Sequence, residues 1–225
     1  MKNFLMVFLV LTSCIISLQA STVSEDKTGF AEISTVIHDA VYDIRYYSPN
    51  NFTGNRIKGY KAPRAYLTKE ALTALAKAAE DLRKQGYRLL IWDAYRPQKA
   101  VDNFVAWIKD PNDPGDKTFF PELQKSDLVA GDYIATKSGH TRGSTIDLTI
   151  IKKDGSPVDM GGTFDLFSEI SHHKYDKITK EQKRNRKILK EAMLKAGFKS
   201  LYSEWWHFTL KDEPYKDTYF NFDVE

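Results

Sequence analysis

The sequence is organised around the stretch SGHTRGSTIDLT, residues 138–149, which places His140 and Asp147 seven residues apart across Gly143. Imidazole and carboxylate groups are both ligands that zinc takes in proteins. On one flat strand this odd spacing would put the two side chains on opposite faces, so the chain must bend between them. Glycine permits such a bend, because it has no Cβ. The stretch therefore predicts two metal ligands on either side of a turn, with a strand over Ile146–Ile151.

A second stretch of the same chemistry lies near the C-terminus. Glu204 stands three residues before His207, beside an apolar run that predicts a strand over 205–210. Both side chains can face a metal only if a turn or bulge interrupts that strand. Zinc hydrolases usually take three protein ligands and keep a fourth position for water, so we predict that His140, Asp147 and His207 hold one Zn²⁺. Glu204 is then placed to act as the general base for the attacking water.

Hydrophobic periodicity predicts an α+β fold. Helices are expected from Thr68 to a glycine stop at Gly86, from Pro97 to Pro111, and over residues 179–196. A buried strand, Tyr87–Trp92, leads to Arg96. Further expectations are a loose polar arm over 21–33, a turn at Asn51–Gly54, a possible strand start at Pro157–Val158, and a solvated basic helix face over Lys183–Lys190.

The N-terminus has the composition of an export signal. Lys2 gives a short basic start, Phe4–Leu18 is almost entirely apolar, and Ala20–Ser21 fits a cleavage point. We therefore predict a signal peptide over residues 1–20 and one domain over 21–225, exported to the periplasm, with secretion as an alternative.

Cysteine and charge restrict the possible partners. Cys14 is the single cysteine, so a chain cleaved after residue 20 has no disulfide. Residues 11–14, LTSC, also resemble a lipobox, and Cys14 as a lipid anchor is the alternative to cleavage and release.

Beyond residue 20 the chain carries 32 basic and 30 acidic residues. This near balance gives no case for a nucleic-acid partner, and membrane association is expected only through a lipidated Cys14.

Seven segments, spread over nearly all of residues 21–225, carry a family resemblance. They are Asn51–Gly54, Trp92–Pro97, Ser138–Thr149, Gly161–Asp165, Ser171–His173, Glu204–His207 and Asp212–Tyr215. Together they resemble the VanX-like D-alanyl-D-alanine dipeptidases, zinc peptidases related to D,D-carboxypeptidases and to the Hedgehog-like fold. The resemblance implies a single α+β domain in which helices flank an antiparallel sheet.

The resemblance also implies roles for the candidate site residues. The three metal ligands named above match the zinc ligands of the family, and Glu204 matches its base. Arg96 matches an arginine that stabilises the transition state, and a permanently charged guanidinium suits a developing oxyanion. Tyr46, Ser138 and Asp165 match positions that line a small dipeptide pocket, where an anionic Asp165 would meet the substrate ammonium.

The implied reaction is hydrolysis of free D-Ala-D-Ala to two D-alanines, in cell-wall turnover or salvage if the chain is exported. Two alternatives stay open: a D,D-carboxypeptidase or endopeptidase acting on peptidoglycan stem peptides, and a non-catalytic wall-binding module. Divalent ions other than zinc would also suit the ligand set. His172 and His173 are predicted to be structural, and no obligate protein partner is inferred.

Overall fold

The computed structural model describes residues 22–130 and 133–225. The predicted signal peptide, its cleavage point and Cys14 lie outside these ranges. Within them, no helix is long and apolar enough to cross a bilayer. The strands are β1 (Thr22–Ser24), β2 (Phe30–Glu32), β3 (Val41–Tyr42), β4 (Tyr66–Thr68), β5 (Tyr87–Asp93), β6 (Thr145–Lys152), β7 (Phe198–Ser200), β8 (His207–Leu210) and β9 (Thr218–Phe220). The α-helices are α1 (Lys69–Lys84), α2 (Gln98–Lys109), α3 (Asp127–Ala130) and α4 (Lys180–Lys195).

A five-stranded sheet in the order β3-β5-β6-β8-β7 forms the centre of the fold. Its pairings are antiparallel except for the edge pair β3 and β5, which is parallel. The predicted α+β fold is therefore confirmed, and this central sheet contains one parallel pairing that the sequence did not predict. Strand β6 is buried along its length except at Lys152, because other parts of the chain cover both faces of the sheet.

The long helices begin and end where the sequence predicts. Thr68 caps α1 by accepting a hydrogen bond from the Ala71 N–H, and Thr179 forms a capping box with Gln182 at the start of α4. The glycine after α1 has a positive φ of 93° and the one after α4 has 101°, as helix-ending glycines do. The two helices pack against each other, and α1 lies on β5.

Four expectations differ from the structure. The predicted loose arm over 21–33 is wrong, because residues 22–24 form β1, which pairs in parallel with β9, and residues 30–32 form β2, which pairs with β4. Strand β8 begins at His207, since the two preceding tryptophans lie in a turn. The predicted strand at Pro157 is only an isolated bridge to Ile151. Within the basic stretch of α4, Arg186 is buried and does not belong to a solvated face.

The bend between His140 and Asp147 depends on Gly143. This residue has φ 81°, and a Cβ placed on it would lie 2.1 Å from Cε1 of Phe30. We expect Gly143→Ala to lower the free energy of unfolding by about 2–6 kcal/mol, the sum of backbone strain and overpacking. Gly54→Ala is the matched control, because Gly54 has φ 72° with no atom near its Cβ position. Urea unfolding measures both variants, and equal losses would contradict a steric role for Phe30.

Candidate metal centre and pocket

Three elements bring the predicted metal ligands together. His140 begins a short 3-10 turn that ends at Gly143, while Asp147 lies within β6 and His207 begins β8. The register of these antiparallel strands places Asp147 directly opposite His207. Side chains in such a pair lie close, with Cβ atoms about 4.5–5.5 Å apart. The bend at Gly143 brings His140 to the same place.

The ligand atoms of the three side chains converge on one point. All three lie within 4.8 Å of one another. Oδ2 of Asp147 is 3.2 Å from Nε2 of His140, and its Oδ1 is 3.1 Å from Nδ1 of His207. The two facing imidazole nitrogens are 3.3 Å apart. His140 and Asp147 are almost completely buried, so the cluster lies below the protein surface.

The donor set suits a divalent cation. Nδ1 of His140 lies 2.7 Å from the Ala94 carbonyl, to which its N–H donates, and this tautomer leaves the Nε2 lone pair facing the cluster. Oδ1 of Asp147 is buried and, apart from its 3.1 Å approach to Nδ1 of His207, has no partner among the described residues. Two imidazole nitrogens and a carboxylate oxygen therefore lie close together, and their lone pairs can coordinate a metal ion.

The electrostatics of the cluster favour positive charge. Burial lowers the pKa of the His207 imidazole, but its hydrogen bonds with Asp147 and Glu204 outweigh burial and raise that pKa to about 10. Burial raises the pKa of Asp147, yet the two histidines hold it below its usual range. Two carboxylates beside buried imidazoles therefore attract a proton or a metal ion.

Glu204 lies beside the cluster because a turn precedes β8. The turn over residues 204–206 is the irregularity that the odd spacing required, and the His207 N–H donates to the Glu204 carbonyl at 3.4 Å. Oε2 of Glu204 is 3.3 Å from Nδ1 of His207. The Glu204 carboxylate therefore lies next to the predicted metal ligand His207 and also lines the pocket.

Arg96 approaches the cluster from the end of β5. Its Nη2 lies 3.6 Å from Oδ2 of Asp147 and 3.5 Å from the Tyr46 hydroxyl. The guanidinium carbon is 4.8 Å from the centre of the Tyr46 ring and 5.3 Å from that of Phe104. Aromatic rings and a carboxylate thus hold a permanent positive charge at the pocket wall.

Asp93 orients this arginine, and the sequence prediction missed it. Its buried carboxylate accepts hydrogen bonds from Arg96 Nε at 2.9 Å and from the Tyr60 hydroxyl at 2.5 Å. It also lies 3.5 Å from Nδ1 of His140. Burial raises the pKa of Asp93, against the opposing charge of Arg96. Asp93 could have been found from the sequence, because it is an acidic residue at the end of a buried strand, three positions before Arg96.

A cavity of about 300 Å³ opens in front of the cluster. This volume lies at the lower end of the range for small-ligand pockets, about 300–1,000 Å³. The cavity is lined by every predicted site residue: Tyr46, Arg96, Ser138, His140, Asp147, Asp165, Glu204 and His207. The wall also contains aromatic and aliphatic side chains that the sequence did not single out: Phe52, Val101, Phe104, Tyr133, Ile134, Phe167 and Leu201. Its remaining residues are Ala135, Lys137, Gly139, Arg142 and Thr209.

Asp165 lies buried beside Tyr46. The Tyr46 hydroxyl donates to its Oδ2 at 2.7 Å, and the residue has a positive φ of 55°. Burial and the charge of Asp147 raise the pKa of Asp165 well above its usual range. Both effects oppose the anionic form predicted from the sequence, whereas a cationic group next to the carboxylate favours that form. Ser138, the third pocket residue, accepts the His140 N–H at 3.2 Å.

His173 lies away from the cluster, with its ring 6.2 Å from that of Phe208. Burial, with smaller contributions from Lys190 and Arg186, lowers its pKa to about 4. The unfolded chain, with a histidine pKa of about 6.5, then binds more protons between pH 6.5 and 4, so stability falls as the pH falls through this window. We expect the His173→Phe protein to lose about 2 kcal/mol less free energy of unfolding than the unmodified chain as the pH falls from 7 to 4. Urea unfolding at a series of pH values between 7 and 4 measures this difference.

The exposed His38 gives the control for this pH dependence. His38→Gln should keep the acid-dependent loss of stability, because His38 is on the surface and bonds only the Ser34 carbonyl at 2.9 Å. If the His173→Phe and His38→Gln proteins lose stability in parallel with the unmodified chain, the buried imidazole does not contribute.

An α+β domain with a buried His/Asp/His cluster, and a carboxylate beside it in a small pocket, has the arrangement of a metallopeptidase. The family model described as D-ala-D-ala dipeptidase matches residues 26–225, and the chain belongs to this family of peptidases.

Curated relatives agree with the family match. The chain is 42% identical over 200 residues to a D-alanyl-D-alanine dipeptidase of Enterococcus faecalis, covering 88% of this chain and 99% of the relative. It is 39% identical to one of Enterococcus faecium, covering 88% and 100%. It is 34% identical to one of Escherichia coli K12, covering 82% and 86%.

Proposed function

We propose that the protein is a zinc-dependent dipeptidase that hydrolyses D-Ala-D-Ala to two D-alanines. The observation that carries the proposal is the convergence of His140, Asp147 and His207 at the floor of a cavity of about 300 Å³. Membership of the D-Ala-D-Ala dipeptidase family supports the same substrate. A cavity of this size suits a free dipeptide better than a stem peptide, which needs an open groove.

The three converging side chains are proposed to hold the zinc. When bound, zinc would acidify a water molecule and polarise the peptide carbonyl. The protein holds the metal-binding atoms of these side chains in position. The Ala94 carbonyl fixes the tautomer of His140, and the strand register holds Asp147 opposite His207. Such outer contacts keep ligands in place before the metal arrives.

Glu204 and Arg96 are proposed to carry the proton and the charge. Glu204, 3.3 Å from a ligand nitrogen, is placed to take a proton from the attacking water and to pass it to the leaving amine. Arg96 is held by Asp93 with Nη2 directed toward Asp147. From there the guanidinium can donate to the oxygen on which negative charge develops.

We propose that polar groups of the pocket bind the ends of the dipeptide. Asp165, buried beside the Tyr46 hydroxyl, is suited to the substrate ammonium, which would restore its anionic form. Ser138 supplies a hydroxyl at the wall next to His140. An ammonium beside Asp165 favours the anionic form of its carboxylate, so we expect the pocket to favour a substrate with a free amino end.

We further propose that the enzyme acts outside the cytoplasm. This rests on the apolar run Phe4–Leu18 and the following Ala20–Ser21. Release into the periplasm and a lipid anchor at Cys14 are the two forms of this proposal, and the mass of the N-terminal peptide of the exported protein distinguishes them.

The test is release of D-alanine from D-Ala-D-Ala by the purified protein. A chelated sample should lose activity and regain it with Zn²⁺, and a pentapeptide stem ending in D-Ala-D-Ala should remain intact. Metal analysis before and after chelation gives a readout independent of turnover, with one zinc per chain expected. Cleavage of the stem would instead favour a carboxypeptidase, and zinc binding without any cleavage would favour a wall-binding module.

A further inference from the structure

The two imidazoles of the proposed metal centre face it with different nitrogens. His207 approaches the rest of the cluster through Nδ1, which lies 3.1 Å from Oδ1 of Asp147. The same atom is 3.3 Å from Nε2 of His140 and 3.3 Å from Oε2 of Glu204. An imidazole that binds a metal ion is neutral and carries one proton, on the nitrogen that does not bind. When His207 binds through Nδ1, its proton is therefore on Nε2.

This Nε2–H group of His207 needs an acceptor. Only 16% of the side chain is exposed, and a buried donor without a partner is costly. His140 meets the same need by donating from Nδ1 to the Ala94 carbonyl at 2.7 Å. For His207, the acceptor within reach among the described residues is Oγ1 of Thr209, at 3.5 Å from Nε2. The contact is long, yet it is directed at the nitrogen that must carry the proton.

Strand geometry places this hydroxyl. Thr209 follows His207 by two residues in β8, so both side chains lie on the same face of the sheet. The register pairs Thr209 with Thr145 of β6, and their hydroxyl oxygens are 2.9 Å apart. Both threonines are buried. Because a hydroxyl has one hydrogen and two lone pairs, Thr209 can accept from His207 while it stays bonded to Thr145.

The loop before the first metal ligand leaves room for this pair of hydroxyls. A Cβ placed on Gly139 would lie 2.9 Å from Oγ1 of Thr145, which is too close for either group to stay in place. Gly139 has φ −57° and ψ −37°, a conformation that any residue adopts. The absence of a side chain next to His140 is therefore not required by the backbone, but it preserves the position of Thr145.

We propose that Thr209 is a positioning residue of the metal centre, whose Oγ1 accepts the Nε2–H of His207 and keeps the Nδ1 lone pair directed at the metal. The inference rests on the proposed zinc function. Outer hydrogen bonds of this kind fix the tautomer and the ring orientation of metal-binding histidines. The acceptor for His140 is a backbone carbonyl, whereas the acceptor for His207 is a side chain. Only the second can be removed by substitution.

The zinc affinity of the full chain tests this role, measured on metal-free protein by competition with a chromogenic chelator. Thr209→Val keeps the size of the side chain but removes the acceptor, and we expect the Kd for zinc to rise about 10–100-fold. Thr209→Ser keeps the hydroxyl and should bind zinc nearly as tightly as the unmodified chain. With zinc in excess, the Thr209→Val protein should regain its kcat, because Thr209 acts through His207 and not on the substrate.

Thr149→Val is the matched control. It also removes a buried threonine hydroxyl from the central sheet, but this Oγ1 has no partner in the described parts of the chain. Its Kd for zinc should be unchanged. An unchanged Kd in the Thr209→Val protein, or an equal loss of affinity in the Thr209→Ser or Thr149→Val protein, would overturn the proposal. Absence of zinc binding by the unmodified chain would contradict the proposed function itself, and with it this role.

Discussion

Glu204→Gln is expected to lower kcat for D-Ala-D-Ala hydrolysis by about 10³–10⁴-fold, the upper range for loss of a general base. Glutamine has the same size and can keep the contact with His207, but its amide cannot accept the proton of the attacking water. Zinc content should stay at one per chain, because Glu204 is not among the three converging ligands. Steady-state D-alanine release and metal analysis of the same samples measure the two quantities.

The control for this change is Glu169→Gln, which removes another carboxylate near Tyr133 but outside the pocket lining. Its kcat should stay within about twofold of the unmodified protein, as is usual for surface changes. If Glu204→Gln retains most of its activity while holding zinc, another group must take the proton. If it loses zinc, Glu204 is a ligand and not the base.

Arg96→Lys should lower kcat by about 10²–10³-fold, the cost of removing one donor to a developing oxyanion. The guanidinium of Arg96 binds Asp93 through Nε and directs Nη2 toward Asp147. The ammonium of a lysine keeps the charge but cannot make both contacts at once. KM should change little, because the contact gains strength only as the oxygen becomes charged. Parallel determination of kcat and KM for the dipeptide separates the two effects.

Arg45→Lys provides the comparison for this variant. Arg45 also binds an aspartate through Nε, at 2.7 Å from Asp43, but it does not line the pocket. Its kinetic constants should match those of the unmodified chain. An Arg96→Lys enzyme with normal kcat and raised KM would show that Arg96 binds the ground state and does not stabilise the transition state.

The parts of the site that sequence reasoning could predict are local. The seven-residue spacing of His140 and Asp147 required a bend, and Gly143 supplies it with φ 81°. The spacing of Glu204 and His207 likewise required an irregularity, and a turn is present. Each is a property of a few adjacent residues, so elementary strand geometry was enough to predict both.

The parts that could not be predicted depend on contacts between distant segments. The carboxylate of Asp93 has partners from three other places in the chain, and nothing in its own segment identifies Tyr60 as one of them. Arg186 looks like a surface residue in a basic helix, yet carbonyls of two loops hold it inside. The charge of Asp165 depends on its burial beside Tyr46. Tertiary packing, not local preference, decides each of these.

The pairing of β1 with β9 imposes an order on biosynthesis. Residues 22–24 lie beside residues 218–220, and His207 comes only shortly before that last strand. A ribosome therefore has to synthesise the chain through His207 before the three converging side chains can meet, and through residue 220 before the closing strands can pair. Closing so long a loop is entropically costly and favours late, slow assembly. A nascent chain that ends before His207 therefore lacks one of the three converging side chains.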